Sequence, residues 1–412
     1  MVVRLRDREF VARCAGRGFG FGLGDVLPTR RVGRAAGPTR AGRDVGLAVS
    51  GLAGRAAARA GLERAGWSHR APLDTVVFGN RWPGGDAAPT APPSRLYAPH
   101  QAAVVGARDE ADTLLTAPGS LGVLDRAVDR VVALGRAKVS GGTLVLAVGR
   151  HLAAQLGVSA FDASVTEDVL DAARAGRALG AVAAGAAGLE VQVVDAGSST
   201  GNLRDADPLT VDAVTRLLGR GEDLGGRLSA AGLVVLGEVG IGNTTVAAAV
   251  AAGVLGVDAE EVVGLGAGAD SATFARKREV VRAALHRWRT RGSAPETPTP
   301  VHRLAALGGP EIALLTGVVL GVARAGGVIV LDGLATGVAA LVAAEIEPAV
   351  AAHLIAGQRS SERAHAMVLN RLGLEPLLDL RLRAGEGVGA ALAAQLLLSG
   401  LTLRATAART HP

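Results

Sequence analysis

The chain has 412 residues, 49% of them hydrophobic but only 2% aromatic, with one cysteine and a formal charge of +6. That length holds two domains, or one large domain with an extension. Cys14 alone excludes an internal disulfide and suits a reducing compartment.

The first ten residues are charged where a signal peptide needs an apolar run. Runs such as Ile312–Ala323 fall short of the ~18 apolar residues of a spanning helix. No membrane partner is expected, and the protein is read as soluble and cytoplasmic.

Residues 1–110 read as an Arg/Gly/Pro-rich N-terminal extension, partly flexible, with clear apolar periodicity only over Val45–Ala60. They hold 17 arginines, no lysine and 9 acids, a net charge of +8, so the remainder of the chain sums to about −2. The segment lacks basic residues interleaved with aromatics and any zinc or helix-turn-helix spacing, so no specific nucleic-acid partner is expected.

Residues 111–405 read as one α/β domain with a small helical part built from N- and C-terminal segments. A helical spacing covers Leu121–Leu134, and Leu144–Val148 is the first short apolar strand. An Ala-rich helix over Val169–Ala187 leads to a strand at Val191–Val194. A helix over Val211–Leu218 leads to a third strand at Leu233–Leu236. Helices follow over Val246–Val257, Arg276–Trp288 and Glu311–Ala323, then a strand at Val328–Leu331. Further helices cover Val338–Ala344 and Ala390–Leu398. None of the strands alternates with polar residues, as expected of strands covered on both faces. The alternation predicts an open, mostly parallel, Rossmann-like sheet flanked by helices.

Ligands of such sheets bind beyond the carboxyl ends of the strands. There the sequence places Gly149-Arg150-His151, Asp195, Gly237-Glu238 and Asp332-Gly333. Three acids at strand ends point to a shared polar crevice. The third strand runs into Gly237-Glu238-Val239-Gly240-Ile241-Gly242-Asn243-Thr244-Thr245 before a helix. Glycines let a ligand approach the backbone, and the first-turn amides of a helix face outward, so this turn is a candidate anion cradle. Glu386, in Gly385-Glu386-Gly387 ahead of an apolar helix, can face a cleft without crowding and suits a general base. The scattered histidines lack metal-ligand spacing, so no metal is expected.

These strings together resemble the nicotinate-nucleotide–dimethylbenzimidazole phosphoribosyltransferases of cobalamin nucleotide-loop synthesis. The resemblance runs from Pro118-Gly119-Ser120-Leu121-Gly122 to the helix after Glu386. It takes in Gly157–Phe161 with Val165-Thr166, Val193–Gly197, Gly237–Thr245, Ala275–Arg278, Leu307–Ala313 and Val330–Gly333.

The resemblance implies transfer of the phosphoribosyl group of nicotinate mononucleotide to 5,6-dimethylbenzimidazole or a related base, giving α-ribazole 5′-phosphate. Glu386 would take the proton from the base, and Glu386 with Glu238 would stabilise positive charge on the ribose. The phosphate would sit on the amides of Gly240, Ile241, Gly242 and Asn243 with Lys277. Thr244, Asp332 and Gly333 would complete the nucleotide site. The base would rest against Ser159, Phe161, Val165, Thr166 and Asp168. No cofactor is implied, and a homodimer is.

Besides Ala117, Val239 and a glutamine replaced near Asp168, four positions depart from the family pattern. Arg150 stands where the family has an acid, Leu265 where it has an arginine, and Gly357-Gln358 where it has Ser-His. Two further readings are carried: a non-catalytic relative that binds nucleotide or base as a partner or regulatory protein, and an unrelated α/β nucleotide enzyme such as a dehydrogenase. The absence of a first-strand Gly-x-Gly-x-x-Gly followed by an acid speaks against the latter.

Overall fold

The computed structural model describes residues 96, 98–266, 268, 270–290 and 299–410. It also describes the backbone of three short strands, β1 (Val2–Leu5), β2 (Arg8–Val11) and β3 (Leu27–Pro28), paired antiparallel in that order. The chain divides into two units, Met1–Thr90 and Ala91–Pro412. Cys14, the Val45–Ala60 periodicity and the expected flexibility of most of the extension lie outside the described residues.

In the second unit the strands are β4 (Gly142–Arg150), β5 (Glu190–Ser198), β6 (Leu233–Val239), β7 (Val328–Leu331) and β8 (Leu354–Ala356). They form one parallel sheet in the order β5-β4-β6-β7-β8. All four expected strands are present. The fifth, β8, has three residues, too few for its apolar run to stand out.

Helices α1 (Gln101–Ala111) and α2 (Val123–Ala133) precede the sheet, α3 (Val165–Arg174) and α4 (Leu179–Ala186) join β4 to β5, and α5 (Val211–Leu228) joins β5 to β6. Between β6 and β7 lie α6 (Asn243–Leu255), α7 (Ala259–Val262), α8 (Ser271–Arg289), α9 (Pro300–Leu307) and α10 (Pro310–Arg324). After β7 come α11 (Leu334–Ile346), α12 (Arg363–Leu372) and α13 (Val388–Thr406).

Alternate strand residues serve the two faces, as the pleat requires. Val145, Ala147, Val234 and Leu236 join the core formed with α6, α10 and α11. Leu144, Leu233, Val235 and Val330 join a second core with α2 and α13. Helix α10 is buried on all sides from Pro310 to Ala323, and glycines let it sit against α5. A Cβ on Gly221 would lie 2.1 Å from the Leu314 carbonyl oxygen, and one on Gly317 would lie 2.1 Å from that of Leu218. Small residues do here what aromatic bulk does elsewhere: they bring apolar surfaces to full contact.

Three expectations change. The helix expected over Val169–Ala187 is two helices. Gly176 turns left-handed (φ +67°) and Ala178 is extended, which gives α4 a free N-terminus. Helix α5 runs on to Leu228. Among the described residues α13 is long and apolar enough to cross a bilayer by length and composition; it is instead a core helix, about half buried inside the protein. Its Arg404 donates to Asp129 on α2 at 2.7 Å and to the Ala107 carbonyl on α1 at 3.0 Å, tying the C-terminal helix to the first two.

From β4 the chain passes to β5 on one side, then returns to β6 on the other. The switch point between β4 and β6 opens a crevice at the carboxyl ends of those strands.

Candidate active site

The Gly-rich turn after β6 sits in that crevice. Gly240 is pressed onto the end of β4, where a Cβ would lie 2.4 Å from the Gly149 carbonyl and 3.1 Å from His151 Nε2. Gly242 is left-handed (φ +94°) and opens α6. Two of the four amides expected to hold phosphate are engaged within the protein. The Ile241 N–H donates to Thr166 Oγ1 at 3.1 Å, and that of Asn243 to the Gly240 carbonyl at 3.1 Å. The cradle therefore narrows to Gly240, Gly242 and the first-turn amide of Thr244.

Lys277 lies against that turn. It is 2% exposed, on the inner face of α8, and its Nζ donates to Thr244 Oγ1 at 3.0 Å. A Cβ on Gly266 would lie 2.8 Å from Nζ, so glycine is what gives the ammonium room. Burial pushes the Lys277 pKa down while the Glu362 charge pulls it up. A cavity of about 110 Å³ joins Lys277 and the turn to Ser159, Phe161 and Leu265. Ser159 Oγ accepts the Phe161 N–H at 3.1 Å. Val165 is half-buried at the start of α3. Thr166 is buried under the turn, and Asp168 is exposed on α3, outside the cavity lining.

Glu386 occupies the middle of three successive left-handed residues, Gly385 (φ +68°), Glu386 (φ +55°) and Gly387 (φ +77°). A non-glycine residue held there is strained, and such strain is common where a side chain must be aimed. The turn lies on the end of β6, since a Cβ on Gly237 would come within 2.8 Å of the Glu386 carbonyl. Glu386 Oε2 accepts the N–H of Gly180, in the first turn of α4, at 3.0 Å. A Cβ on Gly385 would lie 3.8 Å from Glu238 Oε1, and Asn243 Nδ2 donates to Glu238 Oε2. Glu238 thus stands between the glutamate turn and the anion turn.

Asp332, expected among the nucleotide ligands, is 2% exposed. Its Oδ1 accepts from Gln358 Nε2 at 2.8 Å and from the Ala390 N–H at 3.1 Å. It therefore holds the N-terminus of α13, directly after Glu386. Gly333 faces Ser360, whose Cβ lies 3.7 Å from the place a Cβ on the glycine would take.

The site gathers carboxyl groups. Burial, and then the charges of Glu311 and Asp332, push the Glu238 carboxyl up to about 8; the Asn243 hydrogen bond opposes this, and Glu386 adds to it. Burial pushes Asp332 up to about 6 against its hydrogen bonds. Glu311 is fully buried at the start of α10, with Oε1 3.1 Å from His151 Nε2. Acids held this close favour a cation in the crevice.

Sequence reasoning missed three of these relationships. His151 was one scattered histidine among eight, and its pairing with Glu311 spans 160 positions. The Gly180 contact required the break after α3. Asp195, expected in the shared crevice, accepts from Arg150 at 2.8 Å.

A family model described as a phosphoribosyltransferase matches residues 96–411. A nicotinate-nucleotide–dimethylbenzimidazole phosphoribosyltransferase of Chloroflexus aurantiacus is 38% identical over 319 residues, 71% of this chain and 88% of the relative. One from Variovorax paradoxus is 40% identical over 275 residues, 62% and 76% respectively. The crystal structure of the enzyme of that name from Thermus thermophilus superposes with a TM-score of 0.69 at 34% identity, covering 75% of this chain and 96% of that one.

The chain belongs to the nicotinate-nucleotide–dimethylbenzimidazole phosphoribosyltransferase family. Its departures from the family pattern have local physical accounts. A side chain at Gly357 would meet the Leu331 carbonyl, 2.6 Å from a Cβ, and α13 at Ala390, 3.0 Å away. Gln358 is buried against Asp332. Leu265 is 57% exposed at the cavity rim.

Proposed function

We propose that this phosphoribosyltransferase moves the phosphoribosyl group of nicotinate mononucleotide onto 5,6-dimethylbenzimidazole or a related base. The observation that carries the reading is Glu238, which accepts from Asn243 of the anion turn and lies beside the glutamate turn at Gly385. The 5′-phosphate enters the cavity at Lys277, with the amides of Gly242 and Thr244 as donors. The aromatic base rests at Ser159 and Phe161, with Val165, Thr166 and Asp168 beside it. Asp332 and Gly333 act from beneath, Asp332 by holding α13.

The base nitrogen lone pair attacks the anomeric carbon as the carbon–nitrogen bond to nicotinate breaks. The bonding electrons return to the pyridine nitrogen, neutralising the pyridinium, and Glu386 takes the proton from the base. Developing positive charge on the ribose faces Glu386 and Glu238. A cationic substrate suits a crevice of clustered acids, which a non-catalytic partner protein would have no reason to keep desolvated.

The same reading includes a cytoplasmic homodimer. The single cysteine supports the compartment. Exposed Leu179 and Val182 on α4, beside the Glu386 contact, support the dimer.

Incubation with nicotinate mononucleotide and 5,6-dimethylbenzimidazole, followed by mass spectrometry for α-ribazole 5′-phosphate, tests the activity. Product from wild type and at least about a hundredfold slower formation by Glu386→Gln supports it. Equal product from both refutes the role of Glu386.

A further inference from the structure

We propose that Arg150 is a positioning residue that sets the anion turn by way of α3; this rests on the functional reading above. Arg150 ends β4. Its Nη1 and Nη2 donate to Asp195 Oδ1 and Oδ2 on β5 at 2.8 and 3.1 Å. Its Nε and Nη2 donate to the Glu167 carboxylate on α3, the latter at 2.9 Å. Asp195 is itself fixed by the Gly197 N–H at 2.9 Å. One planar guanidinium therefore locks the ends of two strands to the first turn of a helix.

That first turn also carries Thr166. Thr166 Oγ1 accepts the Ile241 N–H at 3.1 Å, in the middle of the anion turn. The path is continuous: Asp195, Arg150, Glu167, the α3 backbone, Thr166, Ile241. The side chains of Arg150, Glu167 and Asp195 are 30%, 52% and 36% exposed, so the pairs add little stability. What two bidentate contacts on one rigid fork supply is geometry, which a flexible lysine does not reproduce. An acid at position 150 would repel both carboxylates, so the linkage depends on the arginine.

The test compares wild type, Arg150→Met, Arg150→Lys, Glu167→Gln and Arg150→Met/Glu167→Gln in steady-state turnover. Calorimetric titration with nicotinate mononucleotide and thermal melting accompany it. Arg150→Met and Glu167→Gln are each expected to raise KM and Kd for nicotinate mononucleotide about tenfold, with the double variant no worse than either single one. kcat is expected to stay within about twofold, and lysine is not expected to rescue. Unchanged KM and Kd, a loss confined to kcat, or multiplied effects in the double variant would each overturn the proposal. If Arg150→Met fails to fold, Glu167→Gln decides alone. Wild type that binds the nucleotide but makes no product refutes the functional reading while the Kd comparison still judges Arg150. Wild type that does not bind it refutes both.

Discussion

Gly180 donates its backbone N–H to Glu386 Oε2 at 3.0 Å across 206 positions of sequence. The proposed general base is also a cap for the start of α4. The contact fixes one carboxylate oxygen on the protein and leaves the other for chemistry. It depends on Gly180 having no side chain, because a Cβ there would lie 2.1 Å from the Glu386 carbonyl oxygen.

Glu386→Gln keeps an oxygen for Gly180 but loses the basic carboxylate. We expect kcat to fall by about 10²–10⁴-fold with KM and melting temperature nearly unchanged. Gly180→Ala should lower both kcat and melting temperature, because the turn must move. Product formation by chromatography and thermal melts separate the two effects.

Lys277→Met should weaken nicotinate mononucleotide binding by about 10–100-fold, since a buried ammonium facing an anion is replaced by an apolar chain. Lys277→Arg should not restore it. Gly266 leaves room for an ammonium, with a Cβ position only 2.8 Å from Nζ, and a guanidinium is larger. Calorimetry with the nucleotide reads both; arginine binding as tightly as lysine would contradict the steric account.

The raised Glu238 pKa carries a pH dependence of definite sign. A carboxyl raised to about 8 keeps its proton in the folded state, so its contribution is full below its unfolded value and is lost as pH rises towards 8. Glu238→Gln should therefore melt higher than wild type at pH 8, by about 1–2 kcal/mol or a few degrees, with the gain vanishing near pH 5. A cationic substrate favours the ionised form. Nicotinate mononucleotide binding to wild type should release protons near neutral pH, and the release should shrink in the variant. Titrations in buffers of different ionisation enthalpy measure it.

Asp332→Ala removes the acceptor shared by Gln358 and Ala390. We expect a loss of about 1–3 kcal/mol of stability, from donors left buried and unpaired. We also expect kcat to fall at least about tenfold, because α13 starts directly after Glu386 and a small misplacement of a catalytic group is costly. Normal turnover in a destabilised Asp332→Ala would separate Asp332 from the positioning of the base.

Much of the scaffold is legible in the order of residues alone. Four β-branched runs became β4, β5, β6 and β7, because a strand buried on both faces writes itself as a continuous apolar segment. The Gly237–Thr245 turn, Lys277 and Glu386 were legible as local strings whose chemistry depends on adjacent residues. β8 and the break between α3 and α4 were not. The first is too short to show a period, and the second turns on one left-handed glycine inside an Ala-rich run.

Residue types and their order therefore settled the class of sheet and marked out the candidate site residues, since apolar period and backbone freedom are properties of neighbours along the chain. Which partner each polar group takes was a matter of folding. Ile241 spends its amide on Thr166, Asp332 holds α13, Arg150 bridges two acids, and Glu238 accepts from Asn243 beside the glutamate turn. Those choices join residues tens to hundreds of positions apart, and burial removes the water that would otherwise serve as the alternative partner.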